Sequence, residues 1–561
     1  MKLGFEVRNA IMFYANHSLK KRMDIPPNSR MRFGVGIKKK KRAAPFRLAV
    51  FLEEEGRPPV KLKSTLLSRE SNRWKDLTVD LSGHEGPDRN LIIQVTTTGK
   101  KSRTGKVYLS DVKFDPESRL QELSDRPNIV LICVDTLRPD HLTTYGYDIR
   151  KTDSFFKGLW EKQGVKFEKV YSPSSWTLPA VASIMTSMHL SEHGSGIKNV
   201  KYGKLDKKLD TLAEILSREG YDTAAFSVSF IVSPHFRFHQ GFDTFSDLSF
   251  FTFYWDGDRK AVNHAQKWIS KNRERPFFAF FHLMNPHVPY SVGPHLKDPS
   301  SDRMRAIVIE DYIRSTLFNY YDSWKLEPPP RDRKYQRENR LLRSYDNEIK
   351  RTNDPLEEFY AALEYEGLLD NTLIIITSDH GEEFKEHGGL EHGKTLYQEV
   401  IHVPLIIAGP MIKNPGRSIS CPVTTLDLMP TILEITGTNV PSNARGESLW
   451  PLIEHNECIP RHIHSELDKG VLGAIKEAVI YDGYKLVKSW KRGKVKTELF
   501  DLEADPREKN NLAKDRPNMV KKMSPLLEDM LKKRDRYIQK AKESRISDKN
   551  KDVLKALGYL D

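Results

Sequence analysis

Between residues 127 and 460 the chain alternates apolar, strand-length runs with amphipathic helical segments, and this alternation restricts the fold more than any other feature. The run NIVLICV at 128–134 is continuously apolar, as in a parallel strand that is buried on both faces. Helical periodicity follows in LDTLAEILSREG, and strands and helices then alternate as far as TTLDLMPTILEITG. The pattern predicts an α/β fold class, with a doubly wound, mostly parallel sheet covered by helices.

The segments on either side follow other patterns. Residues 1–120 contain short alternating runs such as RMRFGVGI and NLIIQVTTTG between turn residues, which predict an all-β sandwich or jelly-roll accessory domain. Residues 461–561 predict a small antiparallel sheet plus a helix that complete the α/β domain of residues 121–460. Residues 294–342 interrupt the alternation with a charged, aromatic stretch, which we interpret as an insertion, either a lid near the site or a surface excursion.

Charge limits the partners. The net charge of +14 favours anionic partners such as sulfate or phosphate esters, anionic glycans and lipid headgroups, although a lysine-rich surface explains it equally well. The basic run KKKKR at 38–42 lies between two strand-like runs, which favours an exposed hairpin tip over a nucleic-acid-binding arm. We therefore expect no nucleic-acid partner, and the oligomeric state stays open.

Cysteine usage and hydropathy bear on location. The chain has three cysteines, and this odd, sparse set argues against a disulfide framework. Cys133 lies within an apolar strand run and is expected to be a small core residue. The first residues lack a secretory signal, and no apolar run approaches the length of a transmembrane helix. We expect a cytoplasmic protein without a transmembrane segment, with an exported form left open if a leader has been removed.

Polar residues follow three of the predicted parallel strands. Asp135 follows NIVLICV, Asp379 and His380 follow TLIIITS, and His282 and His287 lie in HLMNPHVPY after FFAFF. Because the carboxyl ends of parallel strands share one edge of a sheet, α/β proteins place their sites there. Two carboxylates and an imidazole suit one divalent metal ion: Ca²⁺, Mg²⁺ and Mn²⁺ accept oxygen ligands, and Mn²⁺ and Zn²⁺ accept imidazole.

The stretch SSWTLPAVASIMTS at 174–187 supplies a candidate nucleophile. Thr177 stands at the predicted start of a helix, where free N–H groups and the positive end of the dipole favour an anionic ester. A metal ion lowers the pKa of a bound hydroxyl, so Thr177 could attack at neutral pH. The alternative is that Thr177 only caps the helix.

A further stretch, LEHGKTLYQEVIHVPLI, contains His392 and Lys394. His392 could protonate a leaving oxygen, and Lys394 could neutralise charge on the transferred group. The alternative for Lys394 is a solvated surface residue.

From PNIVLICVDTLRPDHLTTYGY at 127 to DLEADPREKNNLA ending at 513, the chain resembles the sulfatase family of the alkaline phosphatase superfamily. The resemblance covers SPSSWTLPAVASIMTSMHLSEHG, HLMNPHVPY, SDHGEEF and HGKTLYQEVIHVPLII. It implies a doubly wound α/β fold, one divalent metal ion and a double displacement through a covalent intermediate. The implied metal ligands are Asp135, Thr177, Asp379 and His380. The implied catalytic residues are Thr177, His287, His392 and Lys394.

The departures from the family are informative. Classical sulfatases carry a C/S-x-P-x-R signature whose first residue becomes formylglycine, whereas this chain has Thr177, which cannot become formylglycine, and Val181 in place of the Arg. A Thr combined with Asp-His resembles the branch of lipoteichoic-acid synthases and phosphoethanolamine transferases. The leading hypothesis is therefore hydrolysis or transfer at a phosphoester, phosphodiester or phosphonate ester by Thr177, without formylglycine. The alternatives are a sulfuric ester hydrolase without formylglycine and a non-catalytic protein that binds anionic glycans.

Overall fold

The structure is a computed structural model that describes residues 1–538 except 15, 38–44, 68–72, 99–105, 198–202, 250–255, 289, 291–338, 459 and 469–474. The predicted insertion at 294–342 lies outside the described residues apart from 339–342. The basic run at 38–42 also lies outside them, but the strands that flank it belong to different sheets and do not form a hairpin.

The amino-terminal part of the chain is all-β. Its strands are β1 (Lys2–Leu3), β2 (Glu6–Val7), β3 (Ala10–Tyr14), β4 (His17–Ile25), β5 (Arg30–Ile37), β6 (Phe46–Glu53), β7 (Val60–Leu67), β8 (Trp74–Asp80), β9 (Gly86–Thr97) and β10 (Lys106–Asp115). Two antiparallel sheets form, in the orders β3-β10-β5-β8 and β4-β9-β6-β7. Alternate residues such as Phe33 and Val35 of β5 share one core with Leu48 and Val50 of β6, so the two sheets pack as a sandwich.

The central part of the chain supplies most of a ten-stranded, mostly parallel sheet with the order β1-β2-β15-β14-β16-β11-β17-β20-β12-β21. The strands introduced here are β11 (Asn128–Val134), β12 (Gly164–Phe167), β13 (Val170–Tyr171), β14 (Asp222–Ser227), β15 (Thr244–Asp247), β16 (Phe277–Leu283), β17 (Thr372–Thr377), β18 (Glu383–Phe384), β19 (Leu390–Glu391), β20 (Leu405–Ala408), β21 (Arg417–Ile419) and β22 (Val423–Thr424). The five strands from β15 to β17 in this order run parallel.

Helices cover both faces of this sheet. The helices of the described residues are α1 (Glu117–Leu123), α2 (Ser154–Gln163), α3 (Thr177–Thr186), α4 (Leu190–His193), α5 (Leu212–Arg218), α6 (Gly257–Ile269), α7 (Arg340–Tyr365), α8 (Gln398–Ile401), α9 (Leu428–Ile435), α10 (Trp450–His455) and α11 (Pro517–Ile538), of which α11 packs elsewhere. In β11, Leu131 packs into the core that contains α3, α5 and α9, whereas Ile132 packs into the core that contains α2, α6 and α7. Because both faces are buried, the strand is continuously apolar, and the predicted fold class is confirmed.

Strand pairing and ion pairs join the amino-terminal segment to this sheet. The first residues of the chain belong to the sheet itself, since Val7 of β2 pairs with Phe245 of β15. In addition, Arg32 of β5 and Lys113 of β10 both donate hydrogen bonds to Asp222 at the start of β14. The segment predicted as a separate all-β domain therefore also contributes two edge strands to the α/β sheet.

The carboxyl-terminal part forms the predicted antiparallel sheet. Its strands, in order, are β23 (Ile463–Asp468), β24 (Ile475–Tyr481), β25 (Tyr484–Lys491) and β26 (Lys494–Asp501). Helix α11 packs against this sheet, with Met523 and Leu527 buried beside Val479, Leu486 and Leu499.

The structure corrects the expectation for the cysteines. Cys421 and Cys458 form a disulfide, with Cα atoms 5.7 Å apart, which overturns the expectation based on the cysteine count. Cys421 precedes β22 and Cys458 follows α10, and only the packing of these elements brings the two loops together. Cys133 is a buried free thiol in β11, as expected. In the described ranges no helix is both long enough and apolar enough to cross a bilayer.

Candidate active site

The site lies where three neighbouring parallel strands end. β16, β11 and β17 are adjacent in the sheet, so His282 of β16 and the residues that follow β11 and β17 meet at one edge. Asp135 follows β11, and Asp379 and His380 follow β17. Thr177 is the first residue of α3, which packs on this end of the sheet. All five side chains are buried.

The predicted nucleophile lies between the predicted metal ligands. Thr177 Oγ1 is 3.2 Å from His380 Nε2 and 3.5 Å from Asp135 Oδ2. His380 Nε2 is also 3.5 Å from one oxygen of each carboxylate, Asp135 Oδ1 and Asp379 Oδ2. The structure therefore brings Asp135, Thr177, Asp379 and His380 together around one point.

The start of α3 suits an anionic group. Trp176, in an extended conformation, occupies the N-cap position and makes no side-chain cap. Thr177 is thus the first helical residue and not the cap, so its hydroxyl is directed to the cluster. Ala180, Ala182 and Ser183 are fully buried, and their small side chains let the helix approach closely. The free N–H groups of this end favour negative charge.

Electrostatics in the cluster favour a bound cation. Burial, followed by repulsion from Asp379, raises the pKa of Asp135 well above its ordinary value. Burial acts in the same direction on Asp379, but the neighbouring His380 and His282 more than offset it and lower its pKa. Asp135 Oδ1 and Asp379 Oδ2 are buried without a hydrogen-bond partner. Two such carboxylate oxygens beside an imidazole nitrogen fit a divalent metal ion.

A second group of side chains forms the rim. The His392 ring lies 4.4 Å from the His380 ring and 5.0 Å from the His287 ring, measured between centroids. Its Nδ1 is 3.1 Å from Glu382 Oε1, and the Tyr290 hydroxyl donates a 3.0 Å hydrogen bond to Glu382 Oε2. Glu382 thus holds His392 against the cluster. Burial lowers the pKa of His287 to about 4, so this imidazole is neutral at neutral pH.

Lys394 lies outside this arrangement. Its ammonium is 3.1 Å from Glu391 Oε2 and 3.0 Å from the Leu390 carbonyl, and its side chain is 46% exposed. Gly393, with a φ of 67°, turns the chain between His392 and Lys394 and so separates the two side chains. Of the two, the structure brings only His392 to the site.

Three residues of the site received no role from the sequence. His282 stands in a motif that supplied His287, Tyr290 ends the same motif, and Glu382 lies two residues after His380. The strand-end position was the available signal for His282. The hydrogen bond from Tyr290 to Glu382 joins residues 92 positions apart, and the contact of Glu382 with His392 joins residues 10 positions apart across a turn, so no local periodicity indicates either role.

Comparisons with known proteins identify the family to which this chain is similar. The family model described as Sulfatase matches residues 127–438, and one described as N-sulphoglucosamine sulphohydrolase, C-terminal, matches residues 385–536. Arylsulfatase K of Canis lupus familiaris is 26% identical over 451 residues, which cover 72% of this chain and 82% of that protein.

Two solved structures share the fold. BT4656 in complex with its substrate D-glucosamine-2-N,6-O-disulfate has a TM-score of 0.58 at 21% identity, covering 73% of this chain and 98% of that chain. The phosphonate monoester hydrolase of Agrobacterium radiobacter has a TM-score of 0.56 at 21% identity, covering 73% and 96%. At these identities the likeness shows the fold alone.

Proposed function

The chain belongs to the sulfatase family, and from its site we propose that it is a metal-dependent hydrolase of sulfate esters with Thr177 as the nucleophile. The observation that supports this proposal most is the position of the Thr177 hydroxyl at the amino end of α3. Its Oγ1 lies 3.2 Å from His380 Nε2 and 3.5 Å from Asp135 Oδ2. An anionic ester at this point would face a nucleophile, the helix N–H groups and the cation-binding cluster together.

The proposal includes one divalent metal ion. Its ligands would be Asp135, Thr177, Asp379 and His380. The buried oxygens Asp135 Oδ1 and Asp379 Oδ2, which have no hydrogen-bond partner, fit such an ion. When bound, the ion supplies Lewis-acid chemistry and lowers the pKa of the Thr177 hydroxyl. His380 is already oriented for binding, because its Nδ1 lies 2.9 Å from the Gly381 carbonyl and can donate to it, which leaves the Nε2 lone pair for the cluster.

The reaction would proceed in two displacements. Thr177 Oγ1 releases its proton to solvent and attacks the sulfur, the bond from sulfur to the ester oxygen breaks, and protonated His392 donates its proton to the departing alcohol. Water then gives a proton to His392 and attacks the sulfur of the sulfated Thr177. The bond from sulfur to Thr177 Oγ1 breaks, hydrogen sulfate leaves, and Oγ1 takes up a proton from solvent. Glu382 would keep His392 in position through its 3.1 Å contact with Nδ1. Neutral His287 lies beside His392 and adds no positive charge there.

The relatives support sulfated glycans as the substrate class. Arylsulfatase K is named for sulfate-ester hydrolysis, and the BT4656 structure holds a disulfated glucosamine. These comparisons favour sulfate esters over the phosphoester hypothesis drawn from the sequence. The cation-binding cluster argues against a non-catalytic glycan-binding protein, because glycan binding alone does not require a nucleophile within a metal site.

One observation keeps phosphorus esters as a second candidate. Thr177 stands where the resemblance places the formylglycine of classical sulfatases, and a sulfated threonine has no hemiacetal through which sulfate could be eliminated. A phosphonate monoester hydrolase also shares the fold. Phosphodiesters, phosphomonoesters and phosphonate esters would therefore be the alternative substrates of the same nucleophile.

A metal-titrated substrate panel tests the proposal. It compares p-nitrophenyl sulfate, p-nitrophenyl phosphate, bis-p-nitrophenyl phosphate and a phenylphosphonate monoester, for wild type, Thr177→Ala and the matched control Thr177→Ser. We expect sulfate cleavage that falls at least about 10³-fold in Thr177→Ala and is partly retained in Thr177→Ser. Cleavage of the phosphorus esters alone would select the second candidate. Full activity of Thr177→Ala would remove Thr177 from the mechanism.

A further inference from the structure

His282 is the buried group next to the cluster that the mechanism above does not use. It ends β16 in register with Cys133 of β11, and its side chain is fully buried. Neither of its ring nitrogens has a hydrogen-bond partner. We propose that His282 is a further ligand of the metal ion, so that the site presents two imidazoles and selects Zn²⁺ or Mn²⁺ over Ca²⁺ and Mg²⁺. This inference rests on the metal site of the proposed function.

The distance from His282 to Asp379 is that between two ligands of one ion. His282 Nε2 is 3.5 Å from Asp379 Oδ2, the oxygen without a hydrogen-bond partner. Its contact with Asp135, at 4.0 Å, is to Oδ2, the oxygen beside Thr177. A hydrogen bond between nitrogen and oxygen would measure about 2.7–3.2 Å. Two ligand atoms that each lie about 2.1 Å from one Zn²⁺ are about 3.4 Å apart at a tetrahedral angle and about 4.2 Å apart when opposite. The contact of His282 with Asp379 Oδ2, at 3.5 Å, is longer than a hydrogen bond and matches the separation of two ligands of one ion.

The orientation of Asp379 supports this assignment. Its Oδ1 accepts a 2.9 Å hydrogen bond from the His380 backbone N–H, which leaves Oδ2 as the oxygen without a hydrogen-bond partner. His380 Nε2 and His282 Nε2 are each 3.5 Å from this same Oδ2. The two imidazoles therefore approach one metal-facing oxygen, where a shared cation would relieve the repulsion between the carboxylates of Asp379 and Asp135.

The donor set determines the metal preference. Ca²⁺ and Mg²⁺ favour oxygen ligands, whereas imidazole nitrogen favours Zn²⁺ and is accepted by Mn²⁺. One imidazole among three oxygen donors is compatible with all four ions, but a second moves the balance towards Zn²⁺ and Mn²⁺. Cys133 offers a matched control, because its thiol sulfur also lies within 4.8 Å of the donor atoms of His282 and Asp379.

The experiment measures metal binding by the full chain without reference to activity. The protein is stripped with a chelator, and Zn²⁺, Mn²⁺ and Ca²⁺ are titrated by calorimetry into wild type, His282→Asn and Cys133→Ser. We expect His282→Asn to weaken Zn²⁺ binding at least about 10–100-fold, to weaken Ca²⁺ binding less, and so to lower the Zn²⁺ to Ca²⁺ affinity ratio. Cys133→Ser should leave this ratio unchanged.

A measurement on the wild type covers the case in which His282→Asn fails to fold. In the Co²⁺-substituted protein, hyperfine-shifted proton resonances should show two coordinated imidazoles. A single imidazole, or an unchanged affinity ratio in a folded His282→Asn, would overturn the inference and leave the proposed function standing. Two ions per chain with thiolate-to-cobalt absorption that Cys133→Ser abolishes would overturn it in favour of a separate thiolate site. No metal binding by the wild type would overturn both proposals.

Discussion

Replacing Asp222 by Asn should weaken the contact between the sandwich and the central sheet and so lower the stability of the protein. Asp222 is only 4% exposed and accepts hydrogen bonds from Arg32 at 3.1 and 3.2 Å and from Lys113 at 3.0 Å. A third cation, Arg275, has its Nε 4.0 Å from Asp222 Oδ1. Asp222→Asn keeps the size of the side chain but leaves three cations around a neutral amide.

The expected loss in the free energy of unfolding follows from the burial of this contact. Removing one partner of a buried ion pair destabilises a protein by about 3–5 kcal/mol, because the remaining charge is uncompensated. Arg32 and Lys113 each retain 20% of their side-chain exposure, so part of their charge stays hydrated. Each also keeps a second carboxylate partner, Asp115 for Arg32 and Asp243 for Lys113, which compensates part of the remaining charge. We therefore expect a loss below this range, about 2 kcal/mol in the free energy of unfolding at pH 7.

The pH dependence has a defined sign. Burial acts to raise the pKa of Asp222, but Lys113, Arg32 and Arg275 more than offset it, so its pKa in the folded protein lies below the ordinary value. A carboxyl whose folded pKa is depressed stabilises the protein above its unfolded pKa of about 4 and loses this contribution as the pH falls through the folded pKa. The difference between wild type and Asp222→Asn should be complete at pH 7 and shrink below about pH 4.

Urea denaturation followed by circular dichroism at pH 7 and in steps to pH 3 measures this difference. Asp88→Asn is the matched control, because it breaks the pair of Asp88 with Arg22, in which both side chains are more than 60% exposed, and should not change stability measurably. If Asp222→Asn were as stable as Asp88→Asn, or if its deficit at pH 7 persisted unchanged at pH 3, the electrostatic account of this contact would be refuted.

Two further predictions concern the rim and the disulfide. Glu382→Gln should lower kcat about 10²-fold for alkyl sulfates and less for nitrophenyl esters, whose leaving group needs no proton. Tyr290→Phe serves as the control, because it removes only the other hydrogen bond to Glu382. Equal losses for all leaving groups would reduce Glu382 to a structural role. Cys458→Ser should destabilise the oxidised protein by about 4 kcal/mol from loop entropy for a separation of 37 residues. Thermal unfolding with and without reductant checks this, and a wild type insensitive to a reductant that opens the bond would contradict it.

The sequence by itself determined the fold class and predicted the main members of the candidate site. The continuous apolar run of β11 reports burial on both faces because every residue of such a strand contacts a core. Asp135 and Asp379 follow such strands, and the carboxyl ends of neighbouring parallel strands share one edge. These inferences depend only on local periodicity and on the geometry of parallel sheets, so no knowledge of long-range contacts was needed.

Only the tertiary structure decided which distant residues meet. It places His282 against Asp379 and Glu382 against His392, while the turn at Gly393 directs Lys394 away from them. It also pairs β2 with β15 and joins two cysteines that lie 37 positions apart. Each of these contacts depends on how separate elements pack, and the side-chain pattern of a single element contains no information about its partner. The sequence therefore indicates which edge of the sheet carries the candidate site, and the packing determines which side chains meet there.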